Sequence, residues 1–352
     1  FDIVDTANVL RLKEATNELL IPTLKSLEKK LIEIARREKE TVQIGRTHGQ
    51  AAIPITFGFT IAEYVSRLGE RIEAIANSAA QLRGKISGAV GAYNASSLFF
   101  ADPESFEKEV LSYLGLKAGD YSTQIVMPEA MTDFVHVLVS TFGVLANFSD
   151  DMRHLQRSEI SEVGEHFSKD QVGSSTMPHK RNPINYENVK SMWKKYMPQM
   201  ITLYQDQISE HQRDLTNSAS SRFIPEIIVS LLLSTNRLIR VTEKLVVDKE
   251  NIENNFAKYK EMIVAEPLYI LLASYGHPDA HEAVRKMTLE AEKSNKTLRE
   301  ILKEDESLKK YSDLFSDKQW EILLSPEKYI GVAVEKTENI TNKWATQLNL
   351  SI

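Results

Sequence analysis

Three short stretches of the sequence gather side chains able to move protons or hold anions. The first, Gly45-Arg46-Thr47-His48-Gly49-Gln50 with Pro54 soon after, sets a histidine beside a threonine between two glycines. A turn of this kind presents an imidazole rather than packing it, and imidazole exchanges its proton near neutral pH. Taken alone, a loop histidine is more often an exposed or hydrogen-bonded bystander. The second stretch runs Gly173-Ser174-Ser175-Thr176-Met177-Pro178-His179-Lys180-Arg181-Asn182-Pro183, with Glu187 shortly after. Its glycine at one end and prolines at the other suit a lid that orders over an anion. Lys180 and Arg181 would bind carboxylates there, and Ser174 would act on a proton once closure strips water away. The plainer alternative is a surface loop carrying a basic triplet of the nuclear-localisation kind. The third stretch, Arg213-Asp214-Leu215-Thr216-Asn217-Ser218 and then Arg222, flanks hydroxyl and amide groups with two guanidinium groups. It opens an apolar helix, where backbone donors and the helix dipole favour a phosphate or carboxylate. Asp214 to Ser218 would serve equally as a cap for that helix.

Other chemistries find little support. The sequence has no GxGxxG and no GxxxxGK[ST] phosphate loop. His277 and His281, four apart near Pro278, mimic a metal pair, but no further ligand set stands nearby, so no metal is expected there. His166 with Glu162 and Glu165 reads as solvated charge ahead of the second stretch. The chain has no cysteine, which excludes disulfides and thiol catalysis and suits a reducing cytosol. A net charge of −6 offers no broad basic field, so nucleic acid is not an expected partner and an anionic substrate must be caught by locally placed cations. The longest apolar run, around Ile227 to Leu233, is broken by Ser230 and is far short of the roughly 20 residues of a membrane span. No signal-peptide pattern opens the chain.

Long helices are the elements that must position these stretches. Glycine and proline, 14 and 11 of 352 residues, cluster in a few places and leave long uninterrupted segments between. Leu20, Leu24, Leu27, Leu31 and Ile34 alternate spacings of four and three and draw one stripe on a helix. Asp5 is the expected N-cap of that segment, and Pro22 is expected to kink it. A second helix is expected over about 57–83, with Phe57, Ile61, Val65, Leu68, Ile72 and Ile75 on one face and the Glu63/Arg67 pair on another. Further helices are expected over roughly 123–156, 185–212 and 218–247, and strand alternation is nowhere sustained. In the last of these, Ile227, Ile228, Leu231, Leu232, Leu233, Leu238 and Ile239 leave little polar face, which points to an oligomer with a helix bundle at its centre. After Asp248 the composition turns Lys/Glu-rich. The expected domains are therefore a central bundle over 1–247 and a smaller helical C-terminal domain over 248–352.

The second stretch resembles the GSSxMPxKxNP signature of the fumarase/aspartase superfamily. The Asp2-to-Thr6 opening, the Thr47-His48 turn and Gln124 in Ser122-Thr123-Gln124 fall in the superfamily's order. The resemblance thus spans the chain to about residue 225. Met-Pro-His-Lys-Arg-Asn-Pro looks like the adenylosuccinate lyase and carboxymuconate cycloisomerase branches. Arg213 to Ser218 with Arg222, and the stretch around Ser325 to Tyr329, are similar to the adenylosuccinate lyase family.

That resemblance implies an all-α, long-helix bundle and a cytoplasmic homotetramer with active sites shared between subunits. It implies no cofactor, no metal, no membrane, and a small succinyl nucleotide as substrate. Ser174, as its alkoxide, would take a proton from the succinyl carbon, and His48 would protonate the leaving nitrogen. Lys180 with Asn182 would stabilise the dianionic intermediate, and Glu187 would orient the histidine. Thr47, Gln124, Ser175, Met177, Arg213, Ser218 and Arg222 would hold the carboxylates and phosphate. Fumarate release from adenylosuccinate and the succinylcarboxamide ribotide of purine synthesis is the implied activity. Argininosuccinate lyase, carboxymuconate cycloisomerase and a non-catalytic helical scaffold are the alternatives. Two departures stand out. The family carries about a hundred further residues, the size of a small domain, ahead of Phe1. After Gln124, Ile125-Val126-Met127-Pro128-Glu129 lacks the family's nearby basic residue.

Overall fold

The leucine stripe that begins at Leu20 folds as expected into a helix, and Leu20, Leu24, Leu27 and Leu31 are buried along it. The computed structural model describes residues 1–166, 180–294 and 296–352. Helix α1 (Asp2–Ala15) runs through a π-helical turn, Thr16–Leu20, into α2 (Ile21–Arg37). The irregularity expected at Pro22 is this π turn. A proline lacks its N–H and crowds the carbonyl four residues back, which displaces the hydrogen-bond ladder ahead of it. Asp5 is not a cap. It lies inside α1, and its carboxylate accepts a hydrogen bond from the Val126 N–H at 2.9 Å.

A hairpin that helical periodicity gave no sign of follows, β1 (Val42–Thr47) and β2 (Gln50–Thr56), paired antiparallel. Its turn residues His48 and Gly49 both have positive φ, 54° and 74°, the conformation a two-residue hairpin turn of this hand requires. Register shifts between Ile44 and Arg46, so a bulge falls at Gly45, where a Cβ would meet the Ile53 carbonyl oxygen at 2.7 Å. Thr56 then caps α3 (Phe57–Gln81) by accepting from the Phe59 N–H at 3.1 Å.

A short parallel pair, β3 (Arg83–Gly84) and β4 (Lys117–Ala118), brackets α4 (Pro103–Tyr113) and leads to α5 (Glu129–Leu155). The segment expected as one helix over 185–212 divides into α6 (Ile184–Tyr196) and α7 (Gln199–Gln205), because Pro198 interrupts it. A 3-10 turn at Ser220–Arg222 precedes α8 (Ile224–Glu243). Strands β5 (Val163–Gly164) and β6 (Val246–Val247) pair antiparallel at the far end of α5 and α8.

These helices bury one apolar cluster, with Phe57, Ile61, Val65, Phe134, Leu138, Phe142, Ile227, Leu231 and Leu238 among its members. Each fully buried aliphatic or aromatic side chain is worth about 1.5–3 kcal/mol. By length and composition α5 would suffice to cross a membrane, but most of it is buried inside this cluster, as in a core helix. Helix α8 is apolar on two sides. Ile227, Leu231 and Leu238 face the cluster, while Val229 and Leu233 on its other side are 52% and 59% exposed.

Past Asp248, which caps α9 (Lys249–Ile263), come α10 (Ala265–Ser274), α11 (Ala280–Ser294), α12 (Leu298–Glu304), α13 (Glu306–Ser312) and α14 (Asp317–Leu324). From Val264 onward they build a second apolar cluster around Leu268, Leu272, Leu302 and Leu323. His277 and His281 pack their rings against Tyr311 and Tyr269 there. The last helix, α15 (Ala333–Gln347), returns to the first cluster, with buried Trp344 seated over Gly69 of α3. Asp248, where the boundary is expected, caps α9; the second cluster begins at Val264, and the chain returns to the first cluster in α15.

Candidate active site

The expected site residues among those described fall at the two ends of α5. Gln124, Arg213, Ser218 and Arg222 stand at its N-terminal end. The backbone N–H of Gln124 donates to the carbonyl of Gln212 at 3.2 Å, which ties the segment before α5 to the segment before α8. A cavity of about 760 Å³ opens beside this tie, within the size range of small-ligand pockets. Arg213, Ser218 and Arg222 line it, as do Ile125, Val126 and the α1 residues Asp5 and Arg11.

The Arg213 guanidinium lies 4.1 Å over the Phe1 ring and donates Nε–H to its neighbour's carbonyl oxygen, on Asp214, at 3.0 Å. Arg222 donates to the carbonyl of Ser218. Arg11, Arg213 and Arg222 all line the cavity, and arginine offers planar paired donors to carboxylate and phosphate oxygens. Asp5 shares the cavity. Burial pushes its carboxyl above the ordinary range, against the pull of the Val126 N–H and the Arg213 charge. Burial likewise raises Asp206, another lining residue.

Thr47 and His48 stand at the opposite end. They are exposed at the hairpin tip, directly after Arg46, which is bound to Glu162 just beyond the C-terminus of α5. The segment leading into α6 attaches at the same place. Gln156 Nε2 donates to the Arg181 carbonyl at 3.2 Å, and Glu165 accepts from the N–H groups of Asn185 and Tyr186 at 2.9 and 3.2 Å. Lys180, Asn182 and Glu187 therefore lie toward the C-terminal end of α5, as the hairpin tip does, and Lys180 and Glu187 are exposed. Ser174, Ser175 and Met177 lie outside the described residues. Helix α5 has 27 residues. At 1.5 Å per residue it holds the two groups on the order of 40 Å apart within one chain.

One expectation needs correction. Glu162 and Glu165 are not solvated charge: they are 0% and 5% exposed and accept hydrogen bonds from both neighbouring strands and helices, whereas His166 alone is exposed. Sequence reasoning also missed Asp2 and Lys85. Lys85 is buried and pairs with Asp2, whose carboxylate also accepts from the Gly88 N–H at 3.1 Å, while Thr6 Oγ1 donates to the Lys85 carbonyl at 2.8 Å. The signal was present: Asp2, Asp5 and Thr6 occupy one face of α1, at the spacing that lets three polar groups hold the loops at 84–88 and 122–126.

The family described as Lyase matches residues 1–197, and that described as Adenylosuccinate lyase C-terminal matches residues 209–330. Adenylosuccinate lyase of Pyrococcus abyssi is 38% identical over 349 residues, 97% of this chain and 75% of that protein. Adenylosuccinate lyase of Bacillus subtilis is 34% identical over 312 residues, 87% of this chain and 70% of that protein. Among solved structures, the 3-carboxy-cis,cis-muconate lactonizing enzyme from Pseudomonas putida superposes with a TM-score of 0.83 at 23% identity, covering 99% of this chain and 76% of its own. A fumarate lyase from Mesorhizobium sp. BNC1 gives 0.83 at 22% identity, covering 97% and 76%. At those identities the two structures establish the fold alone.

Proposed function

From the premise that this chain belongs to the adenylosuccinate lyase family, we infer that it releases fumarate from adenylosuccinate, and from the succinylcarboxamide ribotide of purine synthesis, by β-elimination of a C–N bond. The observation that carries this is the 38% identity to a lyase of that name across 97% of the chain. Ser174 is the base that takes the succinyl proton and His48 the acid that protonates the departing nitrogen. Abstraction beside a carboxylate creates a dianion, which needs fixed donors where the charge develops. Lys180 and Asn182 fill that role. Glu187 orients the imidazole. Thr47 and Gln124 hold the succinyl carboxylates, Ser175 and Met177 contact the substrate beside them, and Arg213, Ser218 and Arg222 hold the phosphate, a role that the arginine-lined cavity supports.

The site is completed between subunits of a homotetramer. Two observations support this: the separation of about 40 Å between the two residue groups along α5, and the exposed apolar side of α8 at Val229 and Leu233. A second copy running antiparallel against α5 brings its hairpin end to this chain's arginine end, and Val229 and Leu233 lose their exposure to water. The enzyme works in the cytoplasm, a location that a cysteine-free composition suits.

Absorbance-monitored cleavage of adenylosuccinate tests the reading, with argininosuccinate and carboxymuconate as rival substrates. Turnover is expected with adenylosuccinate and not with the rivals. Ser174→Ala is expected to lower kcat by about 10²- to 10⁴-fold, the usual contribution of a positioned base. Unchanged turnover in that variant removes Ser174 from the role.

A further inference from the structure

We propose that Glu162 is a positioning residue for this reaction: by clamping Arg46 it fixes the hairpin tip that presents His48, and it acts on turnover through that imidazole. The proposal rests on the reading of His48 as the acid. Glu162 is fully buried, and four hydrogen bonds converge on its two oxygens. Arg46 Nη2 donates to Oε1 at 2.6 Å and Nη1 to Oε2 at 3.1 Å, a bidentate pair. Gln43 Nε2 donates to Oε2 at 2.7 Å, and Asn255 Nδ2 to Oε1 at 3.0 Å. The carboxylate thus holds two residues of β1, one on either side of the Gly45 bulge, together with one residue of α9.

The clamp is anchored to the bundle at its other side. The N–H of Glu162 donates to the Leu155 carbonyl at the end of α5, at 2.9 Å, and its own carbonyl accepts from the N–H of Asp248, the cap of α9, at 2.9 Å. Gln43 is held in turn by Thr60 of α3, whose hydroxyl donates to Gln43 Oε1 at 2.9 Å. The carboxylate is therefore tied to β1 and α9 directly and to α3 through Gln43, and the strand that leaves the clamp reaches His48 two residues later.

Stability alone does not call for such an arrangement. A buried ion pair replaced by apolar side chains of similar volume is often as stable or more so. A bidentate pair does supply orientation. A single point of attachment would leave β1 free to pivot about its own axis, whereas two parallel N–H···O bonds plus Gln43 beyond the bulge fix both its height and its rotation. Glu165 performs the comparable task for the segment entering α6 but does not touch the hairpin.

A double-mutant cycle with single-turnover kinetics, enzyme in excess so that slow variants remain readable, tests the proposal. Glu162→Gln keeps the volume but gives up the charge that binds Arg46. In the otherwise unaltered enzyme it is expected to reduce the rate of cleavage about 100-fold, the effect of a displacement near 1 Å at a reacting group, with little change in the enzyme concentration at half-saturation. In a His48→Ala background the same substitution is expected to have no further effect, since the two residues act as one unit. Equal damage in both backgrounds, or an unaltered rate in Glu162→Gln, overturns the clamp while leaving His48 as the acid. A wild-type rate in His48→Ala overturns the reading on which both rest. Should Glu162→Gln not fold, Arg46→Lys carries the same cycle, because lysine keeps the charge but cannot make the bidentate pair.

Discussion

Glu28 is a carboxyl group set in the apolar seam of α2, between Leu24, Leu27, Leu31 and Ile32, and neither of its oxygens has a hydrogen-bond partner among the described residues. Desolvation alone drives its pKa from 4.5 up to about 9. Between those values the folded chain keeps a proton that the unfolded chain has released, so folding is penalised increasingly as pH rises. The slope is about 1.4 kcal/mol per pH unit, and from about pH 5.5 to about pH 8 wild-type stability falls by about 3 kcal/mol through this group. Glu28→Gln cannot ionise in either state and should lack that slope. Its buried amide carries a penalty of its own, about 1–3 kcal/mol, but this is the same at every pH and cancels from the comparison. Urea unfolding of both proteins across that range, at one fixed protein concentration because assembly contributes to apparent stability, reads the difference. Parallel pH profiles for wild type and Glu28→Gln would refute the assignment of a neutral buried carboxyl.

Two further substitutions test the packing that positions the site. Gly69→Ala places a Cβ 2.2 Å from the Trp344 indole, so it should displace α15 from α3, destabilise by about 1–3 kcal/mol, and change tryptophan fluorescence in the folded state. Thr56→Ala removes the cap that starts α3 directly after the hairpin, and should lower the denaturation midpoint by an amount equivalent to about 1 kcal/mol.

Where periodicity was strong, the elements were legible. The stripe from Leu20 gave α2, and the face from Phe57 to Ile75 gave α3 to within two residues of its end. The hairpin was not legible, because its burial does not alternate cleanly: the bulge at Gly45 and the inward pull on Gln43 and Arg46 break the period of two. Glu162 was read as solvated for a related reason. Glu162, Glu165 and His166, so close together, look like a surface run, and only the partners supplied by β1 and α9, far away in the chain, make the burial of Glu162 favourable.

At the site, residue types announced the chemistry while their distribution stayed hidden. Arg213, Ser218 and Arg222 line one cavity, and Thr47 and His48 lie toward the same end of α5 as Lys180 and Asn182. That the two sets occupy opposite ends of α5 depends on helix direction and topology, which local spacing does not encode. No basic residue follows Gln124, yet the cavity beside it holds Arg11, Arg213 and Arg222. Cations delivered from other elements therefore stand where the local sequence offers none.

A mixing experiment bears most directly on the claim that turnover needs both ends of the bundle, contributed by different copies. His48→Ala disables one end and Arg213→Ala the other, and each homo-oligomer alone should be nearly inactive. Equal amounts combined by co-expression, or by dissociation and reassembly, should regain about a quarter of wild-type activity. That is the fraction of sites drawing an intact end from each contributing chain under random symmetric assembly. If mixed oligomers form and their activity stays at the level of the separate variants, both ends act within a single chain or do not act together, and the account is contradicted.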